Sequence, residues 1–186
     1  MKKGAAQTIR IIAGQWRGRR LPVLDAPGLR PSKDAVRETL FNWLAPDLPG
    51  ARCLDLFAGT GALGLEAASR GAAEVLLVEK DSAVAAQLQR NADSLQAQGV
   101  RVHKQSAEDY LAQLAGKLDI VFLDPPFALD VLPRLLPALV DKLAADGAIY
   151  IEQDRSQGLP ALPEGWYYHR EKRAGQVVFG LARKKL

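Results

Sequence analysis

Apolar positions along the chain change period several times, and the changes divide it into elements. Ile9, Ile11 and Ile12 are followed by Ala13-Gly14 and then a second stretch from Trp16 to Leu24, which predicts a short β-hairpin arm turning at Ala13-Gly14. Asp25-Ala26-Pro27-Gly28 is a turn cluster. Val36, Leu40, Phe41, Trp43 and Leu44 recur at helical spacing, with Ser32 as the expected N-cap and Pro46 and Pro49-Gly50 as the stop. From residue 52 short apolar runs alternate with amphipathic ones. The runs at 53–57, 74–79, 100–104, 119–124 and 148–152 predict strands, and 62–70, 82–98, 107–115 and 131–144 predict the helices between them. Strands apolar along their whole length and linked by helices imply a parallel sheet covered on both faces. Residues 166–173 and 177–183 face each other across Ala174-Gly175 and predict an antiparallel hairpin that completes a seven-stranded, mostly parallel α/β sheet. The chain divides into an arm, residues 1–31, and a main domain, residues 32–186.

The first strand of the main domain runs into Phe57-Ala58-Gly59-Thr60-Gly61-Ala62-Leu63-Gly64. Glycines at this spacing let a strand-to-helix turn tighten and let a ligand approach the backbone. Glu79 ends the second strand, 15 residues past Gly64, where a carboxylate can accept hydrogen bonds from both hydroxyls of a ribose; Lys80 follows it. A nucleoside-containing cofactor is expected. The loop alone does not separate a dinucleotide from S-adenosylmethionine. Asp55, four residues before Gly59, favours the second, because a carboxylate there suits an ammonium-bearing ligand better than a pyrophosphate. The run from Asp55 to Gly61 resembles the first motif of class I (Rossmann-like) S-adenosylmethionine-dependent methyltransferases. That resemblance implies cofactor contacts at Asp55, Phe57, Gly59, Gly61 and Glu79, extends them to Lys80, and places Ser106 and Ala107 near adenine. A helix N-cap explains Ser106 equally well.

The fourth strand of that domain ends in Asp124-Pro125-Pro126-Phe127. Two prolines cannot continue a sheet ladder, so they stiffen the backbone just beyond the strand. Asp124 and a backbone carbonyl then form two fixed acceptors, matching the two N–H donors of an exocyclic amine. Phe127 offers a flat face for a base taken out of its helix. The four residues are expected to be catalytic, with Asp124 also beside the cofactor. A strand-ending turn with a buried phenylalanine is the bland alternative.

Composition adds limits. The chain has 186 residues, 48% of them hydrophobic and 25% charged, as in an ordinary globular protein. One cysteine, Cys53, excludes a disulfide framework and reads as a small buried hydrophobe. His103 and His169 have no companion ligands, so no metal is expected. No apolar run approaches the roughly 20 residues of a membrane span, and Met1 to Thr8 does not read as a signal peptide. A cytoplasmic monomer is expected. The net charge of +4 is unevenly spread: residues 1–37 carry +7 and 165–186 carry +5, which leaves −8 for the middle. Basic ends on an acidic middle point to a polyanionic partner.

Taken with Arg10 to Leu21, Leu29-Arg30-Pro31-Ser32 and Val36 to Leu44, these motifs resemble the RsmD-type family of bacterial 16S ribosomal RNA (guanine-N2) methyltransferases. The likeness runs from Ile9 to Arg183; Ser32 stands where that family more often has threonine. It implies methyl transfer from S-adenosylmethionine to a guanine N2 amine in the assembling or assembled small ribosomal subunit. RNA contacts are then expected at Arg10, Trp16, Arg17, Arg19, Arg20, Arg30 and Arg37, with Trp16 stacking on a base or packing beneath the arginines. Three alternatives remain: a DNA amino-methyltransferase (adenine N6 or cytosine N4), for which 186 residues leave no room for a target-recognition insert; an NAD-dependent oxidoreductase on the same glycine loop; and a non-catalytic RNA-binding protein.

Overall fold

The computed structural model describes residues 7–26, 29, 33–127 and 129–186. The turn expected at Pro27-Gly28, the cap expected at Ser32 and the RNA contact expected at Arg30 lie outside these residues.

The arm contributes β1 (Thr8–Arg10) and β2 (Arg20–Pro22), paired antiparallel with Ile9 opposite Leu21. Helix α1 (Asp34–Leu44) buries Val36, Leu40, Phe41 and Leu44, the positions its spacing marks as apolar. Then follow β3 (Arg52–Asp55), α2 (Ala62–Ser69), β4 (Glu74–Val78), α3 (Ser82–Ser94), β5 (Val100–His103), α4 (Ala107–Gln113), β6 (Leu118–Leu123), α5 (Leu132–Val140), β7 (Leu143–Asp154), β8 (Trp166–Ala174) and β9 (Val177–Lys184). The main sheet has the order β5-β4-β3-β6-β7-β9-β8; β3 to β7 are parallel, and β9 runs antiparallel between β7 and β8. The order reverses between β3 and β6, and at such a reversal the loops leaving the two strands diverge and open a crevice at the carboxyl edge.

Alternation along the strands feeds two cores. Cys53, Val75, Leu77, Ile120, Phe122 and Tyr150 face α1, α2, α3 and the arm, while Leu54, Leu76, Val121, Ile149 and Ile151 face α4 and α5. Cys53 is fully buried, as expected, and burial pushes its thiol up to about 12, so it does not act as a thiolate.

The largest departures from the expected bounds are at α3, at the junction of α5 and β7, and in the arm. Helix α3 stops at Ser94 rather than 98, because Gln96 takes a φ of +53°, a left-handed conformation that ends the helix. Helix α5 stops at Val140; Leu143 instead pairs with Leu118, so β7 starts five residues before the expected Ala148. The turn of the arm is not a tight one at Ala13-Gly14. Residues 11–19 form a loop closed by the Ile11 amide on the Arg19 carbonyl at 2.9 Å.

That loop is held by α2. Glu66, fully buried, accepts from the Ile12 amide at 2.8 Å and the Ala13 amide at 3.4 Å, and lies 3.9 Å from Arg37 and 3.7 Å from Arg70. Ser69 donates to the Ala13 carbonyl at 2.6 Å and accepts the Trp16 amide at 3.1 Å. Gly14, at φ +88°, lies so close that an added Cβ would be 1.9 Å from the Ser69 carbonyl oxygen. Ile9, Ile11 and Leu21 complete the docking by joining the core of α1–α3.

Removing the Glu66 carboxylate takes the acceptor from two amides and the carboxylate partner from Arg70, while Arg37 keeps Asp34 and the Arg10 carbonyl; the uncompensated buried charge is the larger cost. Glu66→Ala is expected to lower stability by about 3–5 kcal/mol in urea unfolding. Glu66→Gln is expected to lose less, because one acceptor survives; equal stability of the alanine variant and the wild type would show that the network does not hold the arm.

Candidate active site

Four strands end in acids at the carboxyl edge of the sheet. In spatial order these are Glu79 after β4, Asp55 at the end of β3, Asp124 after β6 and Glu152 near the end of β7. The Leu123–Ile151 register, carried one residue further, sets Asp124 level with Glu152.

Asp55 is 1% exposed. Its Oδ2 accepts the Gly64 amide at 3.1 Å, which joins the end of β3 to the first turn of α2. Its Oδ1 is buried and meets no donor in hydrogen-bond geometry among the described residues, although the Phe57 amide lies close enough to act on the carboxyl group. Burial, then the negative charge of Asp124, and to a smaller extent that of Glu79, push the Asp55 carboxyl up to about 7 against the opposing pull of the Gly64 amide. An orphaned acceptor in an electronegative crevice is a place for a cationic group, which fits the ammonium of a methionine-like ligand.

The glycine loop takes the shape its sequence implies. Gly59 (φ +53°) and Gly61 (φ +82°) lie in the left-handed region, and Gly61 caps α2. At Gly64 the constraint is space: an added Cβ would come within 2.2 Å of Leu77. Glu79 is already engaged, accepting the Gly59 amide at 3.0 Å and the Asp81 amide at 3.0 Å. Each carboxylate oxygen keeps a second lone pair for a ribose hydroxyl. Val23, Leu24 and Leu29 of the segment leaving the arm line a small cavity together with Gly59 and Thr60 of this loop and Val84 and Leu88 of α3.

Ser106 caps α4, accepting the Asp109 amide at 3.1 Å, so the structural reading of that residue holds; Ala107 beside it is buried. Lys80 is exposed. Both segments follow strands at the same edge, so the expected cofactor residues line up in the order Ser106, Glu79, Gly59 and Asp124. In the tetrapeptide, Asp124 is half-buried, Pro125 buried, Pro126 exposed and Phe127 half-buried. The Pro126 carbonyl accepts the Leu129 amide at 2.9 Å, and the Gln157 amide group reaches the Phe127 carbonyl at 3.5 Å. The rigid loop expected from two prolines is therefore also stitched on both sides.

Two residues at the site were not singled out from sequence. Glu152 is 5% exposed and lies opposite Phe179. Tyr150, fully buried beneath it, has its hydroxyl pushed well above the ordinary tyrosine value by burial, then by the charges of Glu152 and Asp124, so it stays protonated. The signal for Glu152 was its place as the acid closing the fifth apolar run, parallel to Asp55, Glu79 and Asp124.

The expected RNA contacts fare differently. Arg37 is 2% exposed; its guanidinium donates to Asp34 at 2.8 Å and to the Arg10 carbonyl at 2.9 Å beside Glu66, so it is internal structure rather than surface. Arg10 is exposed and lies 3.3 Å from Asp34. Trp16 is half-buried and packs on the core cluster that includes Ala68, Leu95 and Val100. Arg19 donates to the Ser94 carbonyl at 3.2 Å, and Arg17 and Arg20 are exposed. Helices that follow parallel strands run back to the amino edge of the sheet, so Ser69 and Ser94, which end α2 and α3, mark that edge. Trp16, Arg17 and Arg19 therefore lie at the edge away from Asp124.

The family model described as Conserved hypothetical protein 95 matches residues 9–183. The chain is 52% identical over 179 residues to the ribosomal RNA small subunit methyltransferase D of Escherichia coli (strain K12), covering 95% of this chain and 90% of that protein. It is 44% identical to the protein of the same name from Haemophilus influenzae, covering 93% and 92%. The solved structure of yhhF from Escherichia coli matches with a TM-score of 0.89 at 50% identity over 96% of this chain and 99% of that one. A ribosomal protein L11 methylase from Lactobacillus delbrueckii shares the fold, with a TM-score of 0.68 at 22% identity over 85% and 83%. From its arm to its last strand, the chain belongs to the Conserved hypothetical protein 95 family, in the company of the ribosomal RNA small subunit methyltransferases D.

Proposed function

We propose that this protein transfers a methyl group from S-adenosylmethionine to the exocyclic N2 amine of a guanine in 16S ribosomal RNA of the small subunit. The observation that carries the reading is Asp124-Pro125-Pro126-Phe127 held at the end of β6, across the order reversal from the buried carboxylate of Asp55. The names of the relatives support ribosomal RNA as substrate, and guanine N2 rests on the resemblance of the arm and α1 to the RsmD-type enzymes.

S-adenosylmethionine, when bound, supplies an electrophilic methyl group on a sulfonium. The residues of the chain do the positioning, which contributes much of the rate when the electrophile is already strong. Asp55 would take the ammonium, Glu79 the ribose hydroxyls, and the segment at Ser106 and Ala107 would border the adenine. Asp124 and a prolyl carbonyl accept the two amine N–H groups and turn the nitrogen lone pair toward the methyl carbon. On methylation the amine nitrogen would become acidic, and Asp124 would take its proton late. Phe127 stacks on the extruded base, worth on the order of 1–3 kcal/mol.

Tritiated methyl transfer to small subunits from a strain lacking the gene, with duplex DNA in parallel, tests the substrate class. Label is expected in 16S RNA at one guanine N2; label in DNA alone overturns the reading. Asp124→Ala is expected to lower turnover at least about a hundredfold while S-adenosylhomocysteine affinity stays within several fold. Calorimetry that finds NADH binding but no S-adenosylhomocysteine binding would assign the site to an oxidoreductase.

Asp55 makes a pH-dependent prediction. Its folded value of about 7 lies above the ordinary 3.8, so it is protonated in the free protein at pH 6, and ionisation costs the fold stability as pH rises from about 4 to about 7. A cationic ligand reverses the preference. Binding of S-adenosylmethionine at pH 6 is expected to release up to about one proton, measured by calorimetry in buffers of different ionisation enthalpy, and almost none at pH 8.5. Asp55→Asn is expected to abolish the release and to gain stability over the wild type as pH rises.

A further inference from the structure

The acids that build the site repel a polyanion, so a nucleic-acid substrate needs cations on the rim of the same edge. The loop of the arm does not supply them, because Trp16, Arg17 and Arg19 lie at the other edge. The turn between β8 and β9 does. Val177 pairs with Asp154 at the carboxyl end of β7, so Gly175 and Gln176 stand at the edge that carries Asp124. Five exposed cations gather around this turn; Arg173, opposite Val178, lies on the other face of the sheet, and the remaining four are Lys33, Arg155, Arg170 and Lys172. The Arg155 amide donates to the Gln176 carbonyl at 2.7 Å, which fixes the base of its side chain against the turn. Lys33, at the start of α1, holds its Nζ 3.4 Å from where a Gly175 Cβ would be. Lys172 lies opposite Phe179 and Arg170 opposite Leu181. None of the four takes part in an ion pair among the described residues.

A bulge sets which residues appear there. The register of β8 against β9 shifts between Tyr168 and Arg170, so His169 is an extra residue. Past it, Arg170 and Lys172 share the α1 face of the sheet with Leu181 and Phe179. Without it, Glu171 would lie opposite Phe179 and place a negative charge on that face. The cluster is also tied to the site. Gln157, two residues from Arg155, donates its side-chain amide to the Phe127 carbonyl at 3.5 Å, across a turn closed by the Gln157 amide on the Asp154 carbonyl at 3.0 Å.

We infer that Lys33, Arg155, Arg170 and Lys172 form a phosphate-binding rim that holds the RNA backbone beside the target nucleotide while the base crosses to Asp124. The inference rests on the RNA methyltransferase reading and adds the surface by which that substrate is gripped. Phosphate contacts fix register without reading sequence, so this rim sets where the strand lies and leaves base choice to the site.

The test compares the wild type with Arg155→Gln/Arg170→Gln/Lys172→Gln and, separately, with Arg17→Gln/Arg19→Gln. Small subunits lacking the methylation are the substrate, and KM, kcat and the salt dependence of binding are measured. The rim variant is expected to raise KM at least tenfold with kcat much less affected. It is also expected to flatten the slope of log affinity against log salt by about 2, at roughly 0.7 for each single-strand phosphate that the protein no longer neutralises. Unchanged S-adenosylhomocysteine affinity and melting temperature show that the variant is folded. A rim variant with wild-type KM and salt slope overturns the inference, as does a weakening confined to Arg17→Gln/Arg19→Gln. Failure of the RNA reading is seen separately, as wild-type protein that places no label in small subunits.

Discussion

The hydrogen bond from the Gly64 amide to Asp55 is the contact on which the site depends. It ties the end of β3 to the first turn of α2, so the residues between them, the glycine loop, close over a fixed span. A glycine at position 64 is needed for this, since Leu77 leaves no room for a Cβ. The same contact leaves one Asp55 oxygen buried and without an aligned donor, next to Asp124. The strain of a half-satisfied buried carboxylate is thus placed where a cationic ligand relieves it. Stability and binding compete at one residue, as expected where a fold keeps a charge for use.

The scaffold separates two tasks by edge. The amino edge holds the docking of the arm, through Glu66, Ser69 and the Ser94 carbonyl. The carboxyl edge holds the acids and the stitched tetrapeptide. Strand β7 joins them to the antiparallel hairpin, its length letting it pair with β6 on one side and β9 on the other. Because the hairpin turn rises at the carboxyl edge, the last two strands contribute to the neighbourhood of the site rather than only closing the sheet.

Most of the fold was legible because it is written in local periodicity. The helical spacing of Val36, Leu40, Phe41 and Leu44 and the apolar runs of β3 to β6 each carry their own signal. Glu79 and Asp124 were legible because strand ends are marked by a change from apolar to polar residues, and Asp55 because it stands at a fixed offset before the glycine loop. What could not be read depends on long-range partners. Gln96 ends α3 by a backbone conformation that its side chain does not announce. Leu143 is drawn into a strand by Leu118, and Arg37 is drawn inside by a glutamate 29 positions away. The uneven charge along the chain reveals the sign of the partner, but the edge that each cation occupies is decided by the topology.

The docking of the arm has a consequence for the order in which the molecule is made. Residues 8–23 are synthesised before the residues that dock their loop, Glu66, Ser69, Asn91 and Ser94. Two three-residue strands cannot hold together alone in water. A basic segment therefore lacks the last of its docking contacts until some seventy further residues have been synthesised, in the presence of the most abundant polyanion in the cell. Completion of α3 is the event that withdraws it.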